Sequence, residues 1–304
     1  MQPRLDPTTG KPFVLDYDQL FADPITARIL GTRHTQRALL SLIYSFHYTL
    51  LVPGGWGKWF LVVVALLWVF DCFLGLYLTF PRARPFFRRW QVAWKIKQRA
   101  GAYRRNFDLH RAGGLWFWGV LLVHAVSSVS FNLSREVFRP AVSFFSPLAP
   151  SPLDQRRDRP VPASLEPTLS FDEAVARAKA EAERRGWPLS PSAISYVPTY
   201  STYVVNFRPS RHNYGLGLGP PSLYFDALDG HLIGQHVPGE GKAGDVFPQL
   251  QFPLHSGRIA GWSGRMVICL TGAIVAMLSL TGVSIWWKKR SARIAAKSAP
   301  TATS

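Results

Sequence analysis

The chain alternates long apolar runs with basic or proline-rich stretches, and three of the runs reach the roughly 20 residues that a bilayer core demands. They extend from Trp56 to Phe80, from Gly113 to Leu133 and from Gly264 to Trp287. Their centres, WFLVVVALLWVFDCFLGLYLTF, GLWFWGVLLVHAVSSVSFNL and MVICLTGAIVAMLSLTGVSIWW, each hold at most one ionisable side chain. A helix apolar on every side over such a length reads as a membrane span and not as the core of a soluble protein. Tryptophans bracket the runs, as amphipathic rings at headgroup level do: Trp56 and Trp59, Trp116 and Trp118, Trp286 and Trp287. A shorter run, ALLSLIYSFHYTLLV, falls within 36–52 and stops at Pro53-Gly54-Gly55. It predicts an interfacial helix or a short membrane helix.

The polar stretches carry a different period. Ser170 precedes FDEAVARAKAEAERRG, with Glu173 three residues on and Gly186 at the far end, which is the signature of a capped amphipathic helix. Ala193–Val197, Tyr203–Arg208 and Leu223–Phe225 are short β-branched and aromatic runs, and the last leads through Asp226 to Gly230 into HLIGQHV as a tight hairpin. This predicts a small α+β domain over 161–240, joined to the second span by a linker over 135–160. Phe21 to Gly31 aligns without gaps on Tyr224 to Gly234, so residues 1–32 read as the tail of a second copy of that domain.

Charge changes the picture from spans to topology. The 304 residues carry a formal net charge of +17, which in a soluble chain would point to nucleic acid. Here ten Lys and Arg residues crowd between Arg82 and Arg111 against the single acid Asp108, and five more follow the third run. Such flanks mark the cytoplasmic side and touch anionic lipid, and no nucleic-acid motif accompanies them. The expected order is a span over 56–80, a cytoplasmic loop over 81–111, a span over 112–134, an external domain, a span over 264–287 and a cytoplasmic tail over 288–304. Met1 to Gly10 is polar and lacks the apolar centre of a signal peptide. Cys72 and Cys269 fall in different spans at different depths, which argues against a mutual disulfide.

The motifs fall in a recognisable order: YSFHYTLL, GGWGKW, DCFLGLYLTFP, FDLHRAGGLW, FNL, the helix-led domain, then PLHSGRIAGWSGR, LTG and SLTGVSIWWKKR. Over nearly its whole length the chain resembles the PepSY-associated transmembrane proteins, a bacterial family that includes iron-regulated membrane proteins and ferric-siderophore reductases. The resemblance implies four helices, two external PepSY domains and b-type haem held between helices. The family's first span and most of its first PepSY domain have no counterpart here. The expected fold is therefore a membrane α-helical bundle of about three spans and one interfacial helix, with an inserted small α+β PepSY-like periplasmic domain.

Haem b requires only imidazole nitrogen aimed at iron from facing helices. His47, His110, His124 and His255 lie in or beside membrane helices and are the candidate axial ligands. His34, His212, His231 and His236 fall in loops or the soluble domain. His110 and His124 are fourteen residues apart, which on one helix is roughly 21 Å of rise on nearly one face. The bland alternative is that His110 begins a helix and His124 packs on a polar neighbour. His47 and His255 each precede a span on the same side, where ligation competes with capping. Asp71, inside the first span, is a candidate proton or charge relay with Arg111 as its cationic partner. Gly215, Gly217 and Gly219 precede prolines and form no dinucleotide loop; Asp226, Asp229 and Glu240 read as turn acids.

The functional expectation is a multi-pass protein of the bacterial inner membrane that transfers electrons through haem b. It would reduce ferric siderophores on the periplasmic side, fed by a quinol or a protein donor. The alternative is a non-catalytic PepSY-domain sensor or inhibitory scaffold.

Overall fold

The computed structural model describes residues 8, 10, 17–157, 167–208 and 217–298. Two helices are long and apolar enough to cross a membrane, over Leu39–Leu78 and Arg258–Ala296, and a bent pair over Ala102–Asn132 makes a third if it counts as one span. A small antiparallel sheet domain stands between the second and third of these.

The chain opens with a hairpin of β1 (Gln19–Ala22) and β2 (Ile29–Arg33). Helix α1 (Leu39–Thr49) follows, with no buried residue. It ends at Leu50 and Leu51, both left-handed at φ 54° and 57°, and a 3-10 turn leads into α2 (Trp56–Leu78). A Cβ on Gly57 would collide with the Thr49 carbonyl oxygen, so only glycine lets the end of α1 lie against the start of α2.

Beyond α2 the basic stretch is ordered by aromatic rings around α3 (Phe86–Trp90), where Trp90 stands 5.5 Å from Phe80 and 5.2 Å from Trp94. The expected second span then differs from a single rod. Helices α4 (Ala102–Trp116) and α5 (Trp118–Asn132) meet at Phe117 with a bend of 69°. The bend follows the Gly113-Gly114 pair, a common site of helix breaks. It also lets the halves pack on different partners. α4 lies on the last helix through Gly113, where a Cβ would meet Met277 at 2.9 Å. α5 packs on α2, with Val62 and Ala65 against Val129 and Leu133, and the Trp118 indole donates to the Cys72 carbonyl at 2.8 Å. The roughly 21 Å rise computed for one straight helix between His110 and His124 therefore does not apply.

The stretch expected as linker is largely helical: a π turn over Ser134–Phe138, α6 (Arg139–Phe145) and α7 (Pro152–Arg157). α7 belongs to the sheet domain, because Arg156 pairs with buried Asp226. That domain is α8 (Phe171–Arg184) over β3 (Ser190–Val197), β4 (Thr202–Arg208), β5 (Ser222–Asp226) and β6 (Leu232–His236), ordered β3-β4-β5-β6. Ser170 and Glu173 close the expected capping box. Ala174, Ala178 and Ala182 bring α8 close to Tyr203, Val205, Phe207 and Leu223, which form the core. Then α9 (Ala243–His255), a 3-10 turn at Arg258–Ala260 and α10 (Gly261–Ser298) complete the described residues.

The aligned hairpins are geometric copies. Phe21 faces Gly31 and Ala22 faces Ile29 across a bulge, as Tyr224 faces Gly234 and Phe225 faces Leu232. Asp23 Oδ1 accepts from the Ile25 and Thr26 amides, and Asp226 Oδ1 accepts from those of Leu228 and Asp229. Ala27 and Gly230 take positive φ at the same place in the turn, 55° and 75°. The likeness continues downstream. Each hairpin leads to a helix ending at or near a histidine, then to a 3-10 turn, a Gly-Trp pair and a long apolar helix.

Candidate histidine site

That repeat sets the site. His47 is two residues from the end of α1 and His255 is the last residue of α9, so the two imidazoles occupy matching places in the two units. Their ring centres are 6.2 Å apart. Two imidazoles that bind one iron from opposite faces through bonds of about 2 Å place their centres roughly 6 Å apart. The spacing of the pair fits that requirement.

His124 joins them from α5, its ring centre 5.0 Å from that of His255. This is short for two ligands facing each other across a haem, and His124 stands beside His255. Phe131 closes the other side of His255 edge-on at 5.2 Å. Burial, with the neighbouring His124 and His47 imidazoles, pushes His255 down to about 4, so it is neutral at physiological pH and keeps a lone pair for a metal.

The Nδ1 atoms are already committed. His124 Nδ1 lies 2.8 Å from the Val120 carbonyl oxygen, and a carbonyl only accepts, so Nδ1 carries the proton and Nε2 is left bare. His255 Nδ1 lies 2.7 Å from Ser127 Oγ. His110 Nδ1 lies 3.1 Å from the Leu278 carbonyl and 3.0 Å from Thr281 Oγ1 on α10. Metal-binding histidines are oriented by such partners on the second nitrogen. His110 is nonetheless apart from the other three. Its ring sits over Gly282, and Leu278 is seventeen residues, roughly 25 Å of helix, beyond the start of α10 near the His255 end.

Asp71 and Arg111 are not brought together as a relay. Asp71 is exposed on α2, whereas Arg111 donates to Asp108 at 2.8 Å and to the Val92 and Ala93 carbonyls. Asp108, 1% exposed, also accepts from Arg104 and from the Lys97 amide. Sequence reasoning passed over Asp108 and Ser127. The first was visible as the lone acid in a basic run, the second as a hydroxyl one helical turn after His124. In the sheet domain, Asp226, Asp229 and His231 cluster closely enough to suggest a metal. Arg156 and the turn amides already occupy Asp226, in keeping with turn acids. His212 and Gly215 lie outside the described residues.

The family model for the PepSY-associated TM region matches residues 4–289. The chain belongs to this family. No curated protein matches the sequence. Membership in the PepSY-associated TM family makes this a membrane protein, in agreement with the apolar helices, and it leaves the chemistry to the site itself. The PepSY-associated resemblance implies b-type haem, and the donor set fits it: three imidazoles converge from α1, α5 and α9, and that of His124 has its Nε2 bare.

Proposed function

We propose that the protein is a b-type haem electron-transfer protein of the bacterial inner membrane that reduces ferric chelates such as siderophores on the periplasmic side. The observation that carries this reading is the approach of His47 and His255, from matching places in the repeat, to 6.2 Å between ring centres. Bound haem iron would supply one-electron chemistry, cycling between ferric and ferrous. His47 and His255 would hold it near the periplasmic face, and Ser127 and Phe131 would fix His255. His110 and His124 would serve as further haem ligands, with His110 toward the cytoplasmic side. An apolar groove of about 460 Å³ between α6 and α9, lined by Val142, Phe145, Val246, Phe247 and Leu250, suits a lipid-soluble quinol as donor. A protein donor is the other source of electrons. The hairpin over residues 19–33 would be the end of a first PepSY-like domain.

A second reading, a non-catalytic sensor or inhibitory scaffold, is favoured by one observation. The sheet domain's acidic cluster is tied up by Arg156 and by its own turn. A reduced-minus-oxidised absorption spectrum of the purified protein separates the two. Haem electron transfer predicts a Soret band and sharp α-band, and either His47→Ala or His255→Ala lowers haem content or converts iron from low to high spin. His231→Ala, on the exposed hairpin, leaves the spectrum unchanged. A fully stable protein with no haem band supports the scaffold instead.

A further inference from the structure

Ser127 is fully buried on α5, and its hydroxyl touches two groups of the site. Oγ is 2.7 Å from His255 Nδ1 and 3.0 Å from the His124 carbonyl oxygen. The hydroxyl has one proton and two places to send it. The His124 carbonyl can only accept, whereas His255 Nδ1 can accept or donate. When His255 offers Nε2 to a metal, its proton must sit on Nδ1, and Ser127 Oγ is the acceptor within reach. Ser127 must then send its own proton to the His124 carbonyl. One direction follows: His255 Nδ1–H to Ser127 Oγ–H to His124 C=O. The reverse arrangement protonates His255 Nε2 and closes it to iron.

We propose that Ser127 is the positioning residue of the histidine site, fixing the His255 tautomer and ring plane so that a bare Nε2 faces the His47 imidazole. The inference rests on the haem reading for its purpose, but on the hydroxyl geometry for its substance. α5 packs against both α2 and α9, so Ser127 also ties the orientation of His255 to the helix that carries His124. A hydrogen bond accepted from Nδ1–H raises the basicity of Nε2 and favours the ferric state. Ser128 is an internal control. Its hydroxyl donates to the same His124 carbonyl at 2.8 Å, one residue further along the helix.

Nitrogen-15 spectra of histidine-labelled protein in nanodiscs, freed of haem, test the tautomer directly, with His255→Gln identifying the signal. Wild type and Ser128→Ala should hold His255 as Nδ1–H, and Ser127→Ala should lose that preference. In the haem-loaded protein, Ser127→Ala should weaken haem binding about 10- to 100-fold, the usual effect of losing a ligand's outer partner, and raise the midpoint potential. Ser127→Thr, which keeps the hydroxyl, should restore both. Should Ser127→Ala fail to accumulate, Ser127→Cys keeps the volume with a poor acceptor and is read the same way. An unchanged tautomer and potential in Ser127→Ala overturns the proposal, as does an equal effect from Ser128→Ala. A wild-type protein that takes up no haem refutes the functional reading alone, because the tautomer is measured without it.

Discussion

Asp108 is the only acid between Arg82 and Arg111, and burial decides what it does. It accepts from Arg104, Arg111 and the Lys97 amide, so it pins the loop that follows α3 against α4. Breaking a buried ion pair by removing one partner is strongly destabilising, about 3 kcal/mol or more. Asp108→Asn should therefore lower thermal stability by about that amount, and limited trypsin should cut faster after Lys95 and Lys97. Equal cutting rates would show that the pins are redundant. Glu181 works differently, partly buried on α8. Hydrogen bonds from Arg184 and Arg185 outweigh partial burial and hold its carboxyl down at about 2. A depressed carboxylate contributes stability above its unfolded value near 4.5, and that contribution is lost as pH falls towards about 2. The melting temperature of the wild type should thus fall more steeply than that of Glu181→Gln between those limits and match it below them. The histidines were legible because imidazole inside an apolar run is rare. Asp108 and Ser127 were visible only as residue types, because their roles depend on burial and, for Ser127, on a partner distant in the chain.

At the scale of elements, local signals carried most of the sheet domain. The capping box of α8, the strand runs and the Asp-Gly turn all formed where propensity put them, because each is decided by neighbours within a few residues. The bend at Phe117 was not legible. An apolar run of fitting length gives no sign that its halves pack on different helices, α4 on α10 and α5 on α2 and α9. The hairpin copies make a sharp comparison possible. Gly230 takes φ 75° beside the Arg177 guanidinium, where a Cβ would meet Cζ at 2.7 Å, while Ala27 takes φ 55° in open surroundings. A left-handed residue other than glycine costs about 1 to 2 kcal/mol. Gly230→Ala should destabilise the sheet domain by at least that, read as a lower melting temperature, whereas Ala27→Gly should leave the melting temperature equal or raised. Gly57 tests the link from packing to function. Any side chain there collides with the Thr49 carbonyl and drives α1, with His47, off the head of α2. Gly57→Ala should then reproduce the spectral change of His47→Ala although it touches no ligand. A wild-type spectrum would mean that α1 can shift without moving the imidazole.

At the scale of the whole molecule, the ends of α10 frame the bilayer. Trp262 lies under Arg265 and Trp286 under Arg290, ring and cation paired at each end. The two tryptophans are twenty-four residues apart, about 36 Å of helix, enough to cross a hydrocarbon core of about 30 Å with a ring in each interface. Sidedness then rests on charge. The loop between α2 and α4 and the end of α10 carry the basic residues, and the orientation proposed above, with both in the cytoplasm, follows the positive-inside tendency. In that proposed orientation the sheet domain and the His47 and His255 pair would lie on the opposite side, where a ferric chelate would arrive. The same orientation would put the His110 ring, well down α10, toward the cytoplasmic side. In a background where Cys72 and Cys269 are replaced by alanine, a membrane-impermeant thiol reagent should label Ala180→Cys on exposed α8 in intact spheroplasts. Gln98→Cys, in the basic loop, should be labelled only after lysis. The reverse pattern would turn the molecule over, and the paired histidines would then face the cytoplasm, where an external ferric chelate could not reach them.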